Sequence, residues 1–128
     1  MSIQDKLKDR SARLGVIGLG YVGLPLAVEY AESGFEVIGI DVSQEKVDQI
    51  MAGESYVGDV PTSRLEPLVK SGKLIATTDA SRLADVDSVN ICVPTPLSKT
   101  RDHDISYIDA AVKNIAETLH PGQLIILE

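Results

Sequence analysis

Apolar positions along this chain alternate between two rhythms. Short continuous runs, at residues 14–18, 35–41, 73–77, 88–93 and 123–128, have the length of strands buried on both faces. Between them the apolar residues recur every three or four positions, the spacing of a helix with one inward face. Helices are predicted from about Val22 to Ser33, from an N-cap at Ser43 to Ala52, and from about Pro61 to Ser71. In the second of these, Val47, Ile50 and Met51 face inward; in the third, Leu65, Leu68 and Val69 do. Ile105, Ile108, Val112, Ile115 and Leu119 mark an amphipathic helix that Pro121-Gly122 ends. Asp79 can cap a short helix before residue 88, and residues 1–13 read as a polar helix with Ile3 and Leu7 on one face. Residues 54–60 and 94–104 are loops.

Strand and helix in alternation imply right-handed crossovers and a parallel sheet. The expected fold class is therefore α/β, a doubly wound sheet of Rossmann type in one domain, with strand order 3-2-1-4-5. Residues 1–13 would be an extension and residues 14–128 the domain proper. A ligand crevice is expected at the switch point between the first and fourth strands.

The junction of the first strand with the first long helix narrows that expectation. It reads Gly18-Leu19-Gly20-Tyr21-Val22-Gly23, and Asp41 follows 18 residues after the last glycine, at the end of the second strand. This is the fingerprint of a dinucleotide pocket with its strand, helix and acid all present. Gly18 allows the tight turn, Gly20 lets a diphosphate approach the backbone, and Gly23 lets helix and strand pack closely. The helix from Val22 offers unpaired N–H groups and a positive dipole end. Asp41 can accept the ribose hydroxyls and would repel a 2′-phosphate, which favours NAD over NADP. It can also serve as a cap for the helix after Ser43. Lys46 lies along the adenosine ribose or in solvent.

Composition agrees with a buried sheet: 44% of the 128 residues are hydrophobic, only 4% are aromatic and tryptophan is absent, so Val, Ile, Leu and Ala build the core. A net charge of −7 argues against nucleic acid and anionic membranes as partners. Cys92 is the single cysteine, which excludes an intrachain disulfide and fits a reducing, cytoplasmic setting. No apolar leader or run of roughly 18 apolar residues is seen.

Other candidates carry less chemistry. Cys92 lies in a strand of alternately buried residues with no activating base nearby, and reads as a buried, inert thiol. His103, between Asp102 and Asp104, lacks a convergent second ligand, so no metal site is expected. His120, at the end of the last helix, suits the negative end of its dipole. Val93-Pro94-Thr95-Pro96 leaves the fourth strand at the crevice edge, where Thr95 can point a hydroxyl at a ligand or the prolines simply stiffen the exit. Lys99 and Arg101 could meet a phosphate, or lie in a solvated loop.

Read as G-L-G-Y-V-G-L-P-L, residues 18–26 resemble the opening motif of the nucleotide-sugar 6-dehydrogenases, the UDP-glucose/GDP-mannose dehydrogenase family. Residues 41–46, 53–56 and 92–97 agree with it. Within the family, the charged extension, A-T-T-D at 76–79, the loop P-T-P-L-S-K-T-R-D and the final L-I-I-L-E are most similar to the bacterial UDP-N-acetylglucosamine 6-dehydrogenases of O-antigen synthesis.

The resemblance implies a four-electron oxidation of the sugar C6 alcohol to a carboxylate with reduction of two NAD⁺. It also implies that Gly18, Gly20, Tyr21, Val22 and Gly23 line the phosphates, that Asp41 and Lys46 hold the ribose, and that Val93, Pro94 and Thr95 lie at the cofactor. The family's catalytic cysteine, lysine, asparagine and aspartate match nothing in this sequence, Cys92 included. The chain is therefore expected to be a truncated NAD domain, inactive alone, whose full-length form takes a UDP-sugar and forms a homo-oligomer. UDP-glucose or UDP-N-acetylmannosamine are alternative substrates. A dehydrogenase of the 6-phosphogluconate type and a non-enzymatic NAD-sensing module, such as those attached to potassium channels, share the glycine fingerprint. The Y-V-G-L-P run and the P-T-P loop argue against the sensing module.

Overall fold

The computed structural model describes residues 3–58, 60–92 and 106–127, the side chains of 106–108 and 127 excepted. Five parallel strands, β1 (Arg13–Ile17), β2 (Glu36–Ile40), β3 (Leu74–Thr77), β4 (Ser88–Ile91) and β5 (Leu124–Leu127), form one sheet in the order β3-β2-β1-β4-β5. This is the expected order, and it places the C-terminal ends of β1 and β4 side by side at the switch point.

Strand alternation divides the core between two faces. Leu14 and Val16 of β1 and Val37 of β2 face one layer, packed with Leu24, Ala27, Val28 and Ala31 of α2 (Gly23–Glu32). α3 (Gln44–Met51) and α4 (Thr62–Lys70) add Val47, Ile50 and Leu65 to that layer. Ile17, Ile38, Ile40, Val89 and Ile91 face the other, beneath α5 (Ser106–Thr118) and the 3₁₀ helix Ala80–Asp85. All four residues of β4 are buried, so its burial is continuous and not alternate as expected, because helices cover both faces of this inner strand. Its polar members, Ser88 and Asn90, lie in the α2 layer, where Tyr30 donates a 3.3 Å hydrogen bond to Asn90.

α1 (Ile3–Asp9) closes the bottom of the sheet. Ile3 and Leu7 pack on the α2 layer, and Lys6 donates to Asp87 at 2.9 Å. Burial raises the Asp87 pKa, but the N–H of Arg13, the Lys6 ammonium and the nearby His120 together outweigh it and hold the carboxyl below its ordinary range.

Three inward assignments change. Met51 is 44% exposed, because it sits on the flank of the Val47–Ile50 stripe; its sulfur instead covers the N–H of Ala76 on edge strand β3. Val112 and Leu119 are 51% and 60% exposed, while Ala111 and Ile115 are buried. The seam of α5 is thus an i, i+4 pair of narrow width, and Val112 stands about 100° around the helix from Ala111. Ile105 lies outside the described residues, as does the side chain of Ile108. His120 lies two residues past α5, and its Nε2 is 2.7 Å from the Val86 carbonyl, so it braces the entry to β4 and not the helix dipole.

Candidate nucleotide-binding site

β1 stops at Ile17 because Gly18 has φ +92°, a left-handed conformation that L side chains rarely adopt. Its N–H is held by the Ile40 carbonyl at 2.7 Å, which ties the turn to β2. α2 then begins at Gly23, with Val22 as an N-cap that makes no side-chain bond. Pro25 falls in the first turn, where its missing N–H costs nothing. A Cβ on Gly23 would stand 1.6 Å from the Gly18 carbonyl oxygen, so helix and turn are in direct backbone contact. A Cβ on Gly20 would meet nothing within 4 Å: the middle of the turn faces open space. The two glycines therefore do different work, one permitting packing and the other leaving room.

Leu19, between Gly18 and Gly20, points inward, fully buried in the α2 layer. Tyr21 and Val22 point outward, Tyr21 being 82% exposed, and flank the mouth of the turn.

Asp41 follows directly on β2. Its Oδ2 accepts the Leu19 N–H at 2.8 Å and its Oδ1 the Ser43 N–H at 2.9 Å. The carboxylate thus joins the glycine turn to the start of α3, which Ser43 caps by accepting the Lys46 N–H at 3.3 Å. The capping role weighed from sequence falls to Ser43, with Asp41 two residues upstream. Two further lone pairs on the carboxylate stay available to a ligand.

Beside Asp41 opens a cavity of about 330 Å³, lined by Ile17, Gly18, Ile40, Asp41, Lys46 and the α5 face of Ala110, Ala111 and Asn114, among others. Its walls are apolar with a few polar groups at the rim, as in small-molecule sites generally. Lys46 sits at that rim, its Nζ 5.9 Å from the centre of the Tyr56 ring.

Gly18, Asp41 and Lys46 line one opening; Gly20 and Gly23 follow Gly18 in the adjoining turn, with Tyr21 and Val22 exposed between them. Val93, Pro94 and Thr95 lie outside the described residues, as do Lys99, Arg101 and His103. Cys92 is half-buried and not fully buried as expected; it lies just past β4, with its Cβ 3.3 Å from where a Cβ on Gly23 would be. Among the described residues no group of three or more His, Cys, Asp or Glu could hold a metal, and no helix is long and apolar enough to cross a membrane.

Sequence reasoning missed Tyr56. Its hydroxyl donates to the Leu19 carbonyl, across 37 residues of chain. Burial, and then the Asp41 carboxylate, push the phenol pKa well above its ordinary value. The only signal in the sequence was its place in a stretch that resembles the family.

The sequence pattern described as "UDP-glucose/GDP-mannose dehydrogenase family, NAD binding domain" matches residues 12–128. The chain belongs to this family. As a family NAD-binding domain it takes NAD as its cofactor, and the open Gly20 and the cavity beside Asp41 fit that ligand. Among curated relatives, the UDP-N-acetyl-D-mannosamine dehydrogenase of Pyrococcus horikoshii is 38% identical over 91% of this chain and 28% of its own length. The enzyme of the same name from Salmonella typhi is 40% identical over 90% of this chain and 27% of its own. Among solved structures, GDP-mannose dehydrogenase from Pseudomonas aeruginosa superposes with a TM-score of 0.84 at 34% identity, covering 90% of this chain and 28% of that one. The chain thus spans little more than a quarter of the length of these family members.

Proposed function

We propose that this domain holds NAD⁺ for a nucleotide-sugar 6-dehydrogenase acting on a UDP-N-acetylhexosamine. One observation carries the reading. The open turn at Gly20 and the carboxylate of Asp41 are tied to each other through the Leu19 N–H, which sets an acceptor carboxylate against the residue next to the bare backbone of the turn. In this reading Gly18, Gly20, Tyr21, Val22 and Gly23 present backbone to the diphosphate, while Asp41 accepts the ribose hydroxyls with Lys46 beside it. The adenine enters the apolar cavity against Ala110 and Ala111. Val93, Pro94 and Thr95 keep in this reading the role of cofactor contacts that the family motif gives them.

NAD⁺ supplies the hydride acceptor, and oxidation of one C6 alcohol to a carboxylate requires two of them. The residues of this chain bind and orient. The fixed charge of Asp41 disfavours a 2′-phosphate, so the preference is for NAD⁺ over NADP⁺.

For the sugar, the sequence features point to UDP-N-acetylglucosamine. The names of the relatives at 38–40% identity favour its epimer, UDP-N-acetylmannosamine. Both are UDP-N-acetylhexosamines. The test is NADH formation by the protein carrying this domain, offered each of the two epimers and UDP-glucose. Turnover confined to UDP-glucose overturns the substrate class. Calorimetry of this chain with NAD⁺ and ADP-ribose tests the binding role, and no binding of either overturns it.

A further inference from the structure

Leu19 is held at three points. Its side chain fills the space above Gly39, its N–H is bound by Asp41, and its carbonyl accepts the hydroxyl of Tyr56. The first two come from β2 and the residue that follows it, within the βαβ unit of the glycine fingerprint. The third comes from the loop between α3 and α4, outside the glycine fingerprint.

A trans peptide points its C=O and the following N–H in opposite directions. Fixing the Leu19 carbonyl on Tyr56 therefore fixes the N–H of Gly20 on the other side of the same plane. That N–H has no acceptor among the described residues, and it belongs to the glycine whose surroundings are open. The Tyr56 ring is itself positioned, with the Lys46 ammonium 5.9 Å from its centre and Lys46 anchored on α3 behind the Ser43 cap.

We propose that Tyr56 is a positioning residue for the diphosphate: by holding the Leu19 carbonyl it aims the Gly20 N–H at the phosphate oxygens, and through Lys46 it couples that aim to the ribose end of the site. This rests on the NAD⁺ reading above. A turn with a freely rotating Leu19–Gly20 peptide would have to order that plane on binding. In this chain the plane is set beforehand.

The experiment compares ligands that differ in the diphosphate. Wild-type chain and Tyr56→Phe are titrated with ADP-ribose and ADP by calorimetry, and with adenosine by NMR shift perturbation. Loss of one hydrogen bond of ordinary net strength should weaken ADP-ribose and ADP by about five- to tenfold, and leave adenosine unchanged. Amide hydrogen exchange at Gly20 should quicken in the variant. Equal weakening of all three ligands would mark Tyr56 as a general structural residue and overturn the proposal; so would no change in any.

Should Tyr56→Phe fail to fold, 3-fluorotyrosine at position 56 keeps the shape and strengthens the donor. It must alter ADP affinity relative to adenosine, and identical ratios overturn the proposal. If the wild-type chain itself binds neither ADP nor ADP-ribose, the NAD⁺ reading fails and the Tyr56 proposal falls with it. Wild-type binding with an indifferent variant sinks the Tyr56 role alone.

Discussion

Leu19 packs its side chain onto the bare α-carbon of Gly39: a Cβ built at Gly39 would lie 2.8 Å from Leu19 Cδ2. A residue in the middle of the second strand thus sets the seat of the glycine turn, through the absence of a side chain. Gly39→Ala should push Leu19, which is fully buried, off its seat. The expected cost is about 1–3 kcal/mol of over-packing. Thermal unfolding should show the lower Tm, and NAD⁺ titration a weaker affinity, since Leu19 carries both anchors of the turn.

Gly20→Ala and Gly23→Ala should separate binding from folding. At Gly20 the added methyl meets nothing within 4 Å and the φ is not in the left-handed region, so Tm should hold while NAD⁺ affinity drops. At Gly23 the methyl would overlap the Gly18 carbonyl at 1.6 Å, and the fold should weaken by at least ~3 kcal/mol. A Gly20 variant that binds NAD⁺ normally would remove the diphosphate from the turn.

Asp41→Asn keeps one of the two backbone acceptors, its Oδ1, and removes the charge. Wild-type chain should prefer NAD⁺ over NADP⁺ by at least about tenfold, equivalent to ~1.4 kcal/mol, and the variant should lose most of that preference. Calorimetry with both nucleotides checks it, and an unchanged ratio would leave Asp41 a purely structural joint between Leu19 and Ser43.

Asp87 gives the pH dependence. Its folded pKa is depressed by the Arg13 N–H, Lys6 and His120 against the effect of burial, so its stabilisation is present above the unfolded carboxylate pKa of about 3.9. It is lost as pH falls through the lower folded value. Wild-type Tm should therefore fall more steeply than that of Asp87→Asn between roughly pH 5 and 3, because the variant has no such charge to lose. At pH 7 the variant should be the less stable of the two by about 1.5–3 kcal/mol, the scale of hydrogen bonds to a charged group.

The strand order, the glycine turn and the Ser43 and Asp79 caps were legible because each rests on local chemistry. A buried parallel strand needs a continuous apolar run, a left-handed turn needs glycine, and a cap needs a short polar side chain at one position. The errors arose where a neighbour decides burial. Periodicity gives α5 five inward positions, but the 3₁₀ helix and sheet leave it a narrow seam, which Ala111 and Ile115 occupy.

The amino-acid sequence by itself determined a doubly wound sheet with a bare-backbone turn and an acid at the end of the second strand, since these follow from residue type and spacing along the chain. Tertiary structure alone decided what holds that turn in place. Tyr56 reaches Leu19 across 37 residues, Gly39 receives Leu19 from a neighbouring strand, and Met51 shields Ala76 at the sheet edge. Such contacts depend on which elements the fold sets side by side, and no local pattern of apolar and polar residues encodes a partner so far away in the chain.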